Sequence, residues 1–263
     1  MENDLVSVTK KSTIVFIGKI INVLFGFVFS FVIARFLGAE IYGRFTYVYT
    51  LISFFPLLAT LGLNKGLISF IPELTSDKKN EERNSLITFS IIITVIISFI
   101  ISFFLIYYND FIAINVLNNG SLADILAYSA PLLIFLILTK INKGAFRGIG
   151  IVKYFILGQN IFTPVLKLLI IIIAIILNLK IFGVIISYYI SMGFTSLYLL
   201  YKLKQGNYLG EINKNNLKTY KGILKFSFPL IFTGVLGFLI AKTDSFMIGY
   251  MLAEDKVGIY NIA

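Results

Sequence analysis

The stretch Ile87–Tyr108, ITFSIIITVIISFIISFFLIYY, decides the fold. Its twenty-two residues carry no charge and do not alternate between apolar and polar positions. A run of about twenty apolar residues, as a helix rising 1.5 Å per residue, crosses about 30 Å of hydrocarbon. In that medium the backbone must bond to itself, which predicts a helix. A membrane β-strand would alternate over about ten residues, and this stretch does not. Six more apolar runs lie at about 13–36, 45–71, 122–142, 152–177, 181–203 and 226–251, with the start of an eighth near Gly258. The expectation is an all-α, multi-pass transmembrane helix bundle. The run at 13–36 is too long for the apolar core of a signal peptide and lacks a small-x-small cleavage site, so it reads as a retained span.

Composition agrees with that reading. Of 263 residues, 58% are hydrophobic and 14% charged, and mean hydropathy is +0.90. Soluble domains carry about a quarter charged residues, so a soluble enzyme is excluded. Cysteine and histidine are both absent. Disulfide staples, thiolate or imidazole metal sites and histidine acid–base chemistry go with them. Neither a metal nor a cofactor is expected. GAFRGIG, at 144–150, lacks the Gly-Lys-Ser/Thr ending of a phosphate-binding loop, and no nucleophile–base pair stands out, so an enzyme is not expected.

The net charge of +10 would point to nucleic acid in a soluble protein. Here the basic residues gather in the short loops between apolar runs, so no nucleic-acid partner is expected. Fifteen lie on one side: Lys10, Lys11, Lys78, Lys79, Arg83, Lys140, Lys143, Arg147, Lys153, Lys202, Lys204, Lys214, Lys218, Lys221 and Lys225. Arg35, Arg44, Lys180 and Lys256 lie on the other, and Lys19, Lys65, Lys167 and Lys242 fall inside the apolar runs. The asymmetry predicts the cytoplasmic membrane with the N-terminus in the cytoplasm.

An internal repeat organises the chain. Shifted by 215 residues, STIVFIGKIINVLFGFVFSFVIARFLGAEIYGRF lies on SFPLIFTGVLGFLIAKTDSFMIGYMLAEDKVGIY without a gap. Ser12 meets Ser227, Leu24 meets Leu239, Ser30 meets Ser245, Leu37 meets Leu252 and Gly43 meets Gly258. Six spans separate the copies, so both face the same way, as in a parallel repeat. The expected organisation is a six-span lobe at 1–203, a basic cytoplasmic linker at 204–225 and the start of a second lobe at 226–263. Only the first helix of that second lobe would be present, which reads as a fragment or the product of a truncated gene.

Polar side chains inside spans are costly and usually face a bundle interior or a wet cavity. Lys19, Asn22, Gly26 and Ser30 form one helical stripe, read either as a cleft wall where Lys19 meets an anion or as a packing seam with Lys19 reaching the interface. Gly234, Gly237, Ala241 and Ser245 repeat the stripe with small residues, which favours packing. Gln159, Thr163 and Lys167 share a face beside Asn160 and Pro164, whose ring can kink the helix. Lys65, with Asn64, reads as a snorkelling residue. Asp244 is the one carboxylate deep in a span, and needs a basic partner, water or a raised pKa. The candidate substrate-binding residues are therefore Lys19, Asn22, Gln159, Lys167, Lys242 and Asp244. Their basic balance suits an anion such as a phosphate or diphosphate head group.

The segment ARFLGAEIYGRFTYVYTLISFFPLLATLGLNKGLISFIPEL resembles the start of Wzx-type polysaccharide-export flippases of the multidrug/oligosaccharidyl-lipid/polysaccharide exporter superfamily. Leu37-Gly38, Tyr42-Gly43, Phe45, Leu61-Gly62-Leu63 and Phe70-Ile71-Pro72-Glu73 carry the likeness. FRGIGIVKYF, with Arg147, Gly148 and Tyr154, looks like the family's fourth-to-fifth span connection, and FSFPLIFTGVLGFLIAKTDSFMIGYM like its seventh span. The resemblance implies twelve to fourteen spans in two bundles around a central cleft. It implies ATP-independent, alternating-access flipping of a polyprenyl-linked oligosaccharide, with Lys19, Lys167 and Lys242 as partners of the lipid diphosphate. Membrane lipid and other polysaccharide-assembly proteins are the further partners expected. Two rivals stand beside it: a cation-coupled multidrug exporter relying on Asp244, and a non-transporting scaffold of a polysaccharide-assembly complex.

Overall fold

The computed structural model describes residues 2–251 and 254–262, and every regular element among them is helical. The helices are α1 (Glu2–Leu37), α2 (Ala39–Ala59), α3 (Leu63–Ser76), α4 (Asn80–Tyr107), α5 (Asn109–Asn115), α6 (Ala123–Ser129), α7 (Leu132–Ile149), α8 (Val152–Phe155), α9 (Thr163–Ile176), α10 (Lys180–Gln205), α11 (Leu217–Ser227), α12 (Leu230–Met251) and α13 (Glu254–Ile262). Six helices, or seven counting one bent pair, are long and apolar enough to cross a membrane. The protein is a multi-pass, all-α membrane protein. Leu252, which the repeat pairs with Leu37, lies outside the described residues.

Three spans depart from simple rods. The run at 45–71 is α2 and α3, separated by a turn in which Leu61 and Gly62 both take positive φ. Gly62 suits that position because it has no Cβ. The run at 122–142 is bent by 49° between a short first part (Gly120–Ser129) and α7, around Ala130 and Pro131. The run at 152–177 contains a π-helical segment, Ile156–Phe162, immediately before Pro164. The wider turn ends at Phe162, and α9 starts at Thr163 with Pro164 in its first turn, so the distortion precedes the proline rather than sitting on it.

The stretch between α10 and α11 is fastened down. Asn84 Nδ2 donates to the Asn207 carbonyl at 2.8 Å, and the Gly210 amide donates to Thr88 Oγ1 at 3.1 Å. Tyr220 of α11 stacks on Phe89 of α4 at 4.4 Å. Its hydroxyl bonds Ser85 and accepts from the Asn213 amide. Sequence reasoning took 204–225 as linker; α11 occupies its second half because Tyr220 and Ile223 form a buried face.

Two apolar cores result. One, around Phe45, Tyr47, Val48 and Ile52, joins α2 to α6, α9 and α10. The other, around Leu67, Ile71, Ile137, Ile141 and Phe146, joins α3 to α4, α7 and α11. Serines and threonines of α4 and α10 point into the protein, and Ser90, Thr94, Ser187 and Ser191 bond carbonyls of their own helices. That satisfies a buried hydroxyl without a partner helix.

Candidate functional site

Two pairs of glycines one helical turn apart set the site's frame. On α7, a Cβ at Gly148 would stand 2.6 Å from the Leu67 carbonyl oxygen, and one at Gly144 would stand 3.0 Å from Asn64 Cα. On α3, a Cβ at Gly66 would meet Ile223 at 3.0 Å, and at Gly62, in the turn just before α3, one would run into the Ser227 backbone. Small residues at i and i+4 let helices approach to backbone contact in a membrane. So α3 is held between α7 and α11, and its Lys65 is brought beside the basic face of α7.

The result is a cavity of about 260 Å³ lined by Lys65, Lys140, Lys143, Arg147, Thr139 and Gln159, among others, with no acidic residue in its wall. Thr139 Oγ1 and Gln159 Oε1 are buried there without hydrogen-bond partners. Lys143 Nζ and the Arg147 guanidinium lie 5.4 Å and 6.0 Å from the Phe155 ring centroid. Lys65 Nζ reaches across to Thr233 Oγ1 of α12 at 2.5 Å. Lys19, exposed on α1, lies within range of charge repulsion with Lys143. Four cations with no counter-charge in the wall, plus two orphaned polar atoms, make a cradle for an anionic group bearing both donors and acceptors.

Asn22 and Gln159 are brought together, by a structural need. In the π segment the Thr163 amide pairs with the Gly158 carbonyl, five residues back. By the same register the next amide would take the Gln159 carbonyl, but residue 164 is proline and has no N–H. Asn22 Nδ2 supplies the missing donor at 3.1 Å. Gly18, four residues earlier, lets α1 lie against Ile156 of the π segment; a Cβ there would sit 2.6 Å from Ile156 Cγ2.

Lys167 lies elsewhere. It does not line the basic cavity. Its Nζ sits 4.1 Å from the Phe29 ring centroid and 4.5 Å from that of Tyr188. Tyr188 in turn packs on Phe45 at 4.7 Å and Tyr49 at 4.9 Å. The ammonium is held by aromatic faces, an attraction strengthened where water is excluded.

Lys242 lines a separate apolar crevice with Leu51, Phe54 and Phe238 between α2 and α12. Asp244 is exposed, accepts a hydrogen bond from the Tyr260 hydroxyl of α13 and takes the Ser245 amide at 2.8 Å. Its partners are thus a phenol and a backbone N–H rather than a basic side chain.

The polysaccharide biosynthesis protein family model matches residues 8–263. The chain belongs to that family. No curated protein matches the sequence significantly. Solved structures share the fold: an inward-facing multidrug resistance MATE family transporter of the MOP superfamily (17% identity, TM-score 0.67) covers 92% of this chain, and the chain covers 56% of it. An outward-facing multidrug resistance MATE family transporter (17% identity, TM-score 0.70) covers 97% of this chain, which covers 58% of it. A MOP superfamily transporter from Pyrococcus furiosus, described with a binding pocket of reversed polarity, gives 16% identity and a TM-score of 0.67 over 97% of this chain and 62% of its own. The chain therefore spans rather more than half the length of these proteins, and shares their fold.

For this member of the family, Lys140, Lys143 and Arg147 are the cavity residues that sequence reasoning assigned only to the charge asymmetry. The signal was present: they share the α7 face next to the Gly144/Gly148 pair. Lys65, read as snorkelling, donates a hydrogen bond to Thr233.

Proposed function

We propose that the chain is the first lobe, linker and beginning of the second lobe of a flippase that moves a polyprenyl-linked oligosaccharide across the cytoplasmic membrane by alternating access, N-terminus in the cytoplasm. One observation carries the reading: a cavity walled by Lys65, Lys140, Lys143 and Arg147 and free of acidic side chains, in a chain of the polysaccharide biosynthesis family. A diphosphate carries the charge that this wall lacks, and lysine and arginine are its usual partners. In this reading Lys19 extends the site along α1. Lys167 and Lys242 are reached by the substrate only after the lobes rearrange.

The two-lobe organisation is supported by the 215-residue repeat, which pairs Gly43 of α2 with Gly258 of α13. Such a transporter binds substrate at the seam between repeats and rocks one against the other. Catalysis has no part in this reading, and polysaccharide-assembly proteins would be partners downstream.

The fold shared with multidrug transporters favours a second reading, a cation-coupled drug exporter, with Asp244 as the coupling carboxylate. The lipid-linked oligosaccharide pool, measured with and without the gene, separates the two. Accumulation on the cytoplasmic leaflet upon gene loss supports the flippase. An unchanged pool with reduced export of a cationic drug supports the exporter.

A further inference from the structure

A second polar pit lies at the opposite end of the bundle. Helix α10 runs from Lys180, at this pit, to Lys202, whose Nζ lies 5.4 Å from the Tyr154 ring centroid near the basic cavity. At 1.5 Å per residue the two ends are on the order of 30 Å apart. The pit has a volume of about 330 Å³ and is walled by α2, α6 and α10. Besides isoleucines, its lining includes Arg44, Ser121, Asp124, Tyr128, Lys180 and Phe182. It lies within one bundle and is distinct from the crevice lined by Lys242.

Of the two cations at this pit, one is partly paired and the other forms no ion pair among the described residues. Arg44 Nη2 pairs with Glu40, one turn back on its own helix, at 2.7 Å. Its Nε is buried and has no hydrogen-bond partner. Lys180 and Asp124, both exposed, form no ion pair with each other or with Arg44 among the described residues. Lys180 holds φ at +44° and Asn178 at +55°, left-handed positions that non-glycine residues seldom adopt. Tyr128 and Phe182 meet edge to face at 5.3 Å on the rim, and both rings are about half exposed.

We infer that this pit is a binding site for an acidic sugar, such as a uronic acid residue. Its carboxylate would bridge Arg44 Nε and Lys180 Nζ. Its hydroxyls would donate to Asp124 and Ser121, and its ring would rest on Tyr128 and Phe182. The two cations alone would accept any anion. Asp124 narrows the choice: a bare phosphate would face a carboxylate, whereas a sugar acid presents hydroxyl donors to it. The size suits one small ligand at the lower end of ordinary binding cavities. The sugar identity rests on the proposed polysaccharide role; the site itself does not.

The test is saturation-transfer NMR on the full chain purified in detergent, with glucuronate, glucose, inorganic phosphate and phosphoethanolamine as probes. Glucuronate is expected to bind more tightly than glucose. Lys180→Asn removes the charge with a residue that tolerates the left-handed backbone, and is expected to weaken glucuronate about tenfold or more. Asp124→Asn, on an exposed first turn, gives a second variant free of packing effects, and is expected to weaken it too. Equal glucuronate binding by wild type and Lys180→Asn would overturn the proposal. So would displacement of glucuronate by phosphate or phosphoethanolamine at equal concentration, which would mark a general anion or lipid-headgroup site. Geranyl diphosphate serves as the probe of the basic cavity. If it fails to bind while glucuronate behaves as expected, the transport reading falls and this site stands. If it competes with glucuronate, the two sites are one and this proposal fails.

Discussion

Gly43 of α2 and Gly258 of α13, equivalent under the 215-residue repeat, touch each other: a Cβ on Gly258 would stand 3.1 Å from the Gly43 amide nitrogen. The same Cβ would run into the Ala39 carbonyl at the start of α2. The contact leaves no room for a side chain at Gly258. Gly258→Leu must push the helices apart. Overpacking of this kind costs about 1–3 kcal/mol, and the melting temperature in detergent is expected to fall. Gly26→Ala is the contrasting change, because nothing lies within 4 Å of its Cβ position. It is expected to leave the melting temperature level or raise it.

Asn22 and Pro164 form a testable pair. Asn22→Ala leaves the half-buried Gln159 carbonyl without its donor, a loss of about 1 kcal/mol. Pro164→Ala restores a backbone N–H in register with that carbonyl. In a double-mutant cycle on thermal stability, the second change is expected to recover part of what the first loses. Strict additivity would show that Asn22 has some other task.

The basic cavity predicts a charge-specific defect. Lys140→Gln with Lys143→Gln keeps most of the side-chain length but removes two of the four cations in the wall. Binding of a prenyl diphosphate is expected to weaken by at least about tenfold, with the remaining affinity less sensitive to salt. Protein levels should hold, since neither side chain forms an ion pair among the described residues. Unchanged affinity would move the substrate away from this cavity.

Lys167 offers a trade between stability and activity. Lys167→Met keeps the volume against Phe29 and Tyr188. It gives up a cation–π attraction of about 0.5–2 kcal/mol but also removes the cost of enclosing a charge. The melting temperature is expected to hold or rise while glycan export falls. A lower melting temperature with full export would identify Lys167 as a packing residue.

The strap on α4 can be loosened one group at a time. Tyr220→Phe keeps the ring stacked on Phe89 but loses the bonds to Ser85 and the Asn213 amide. The loss is expected to be about 1–3 kcal/mol, because the partners are left unpaired. Hydrogen exchange should quicken at Gly210 and Asn213 while the core of α4 stays protected.

The spans were legible in the sequence because apolar length alone specifies a membrane helix. All of Ile87–Tyr108 but its last residue falls within α4, and the run at 181–203 falls within α10. The breaks were harder to read. The turn at Thr60–Gly62 leaves no long polar break, and around 156–162 Gln159, Asn160 and Pro164 signal a kink but not a π-helical register, so neither is fixed by composition. The strap at 207–216 was missed for the opposite reason: its polar residues look like linker until Asn84 and Thr88 are placed beside them.

By itself, the sequence determined the solvent. With 58% hydrophobic residues in long runs, no other medium satisfies the chain, and the helices follow from the backbone's need to bond to itself. It also placed the repeat. Which lysines stand together was decided only by the tertiary structure. Lys65 and Lys143 are 78 residues apart in sequence, yet line one cavity because glycines at 144 and 148 admit α3 against the α7 backbone. Lys167 looks equivalent to them in sequence, but α9 turns it into an aromatic box. A helix fixes which residues share a face; contacts between helices decide what each face meets.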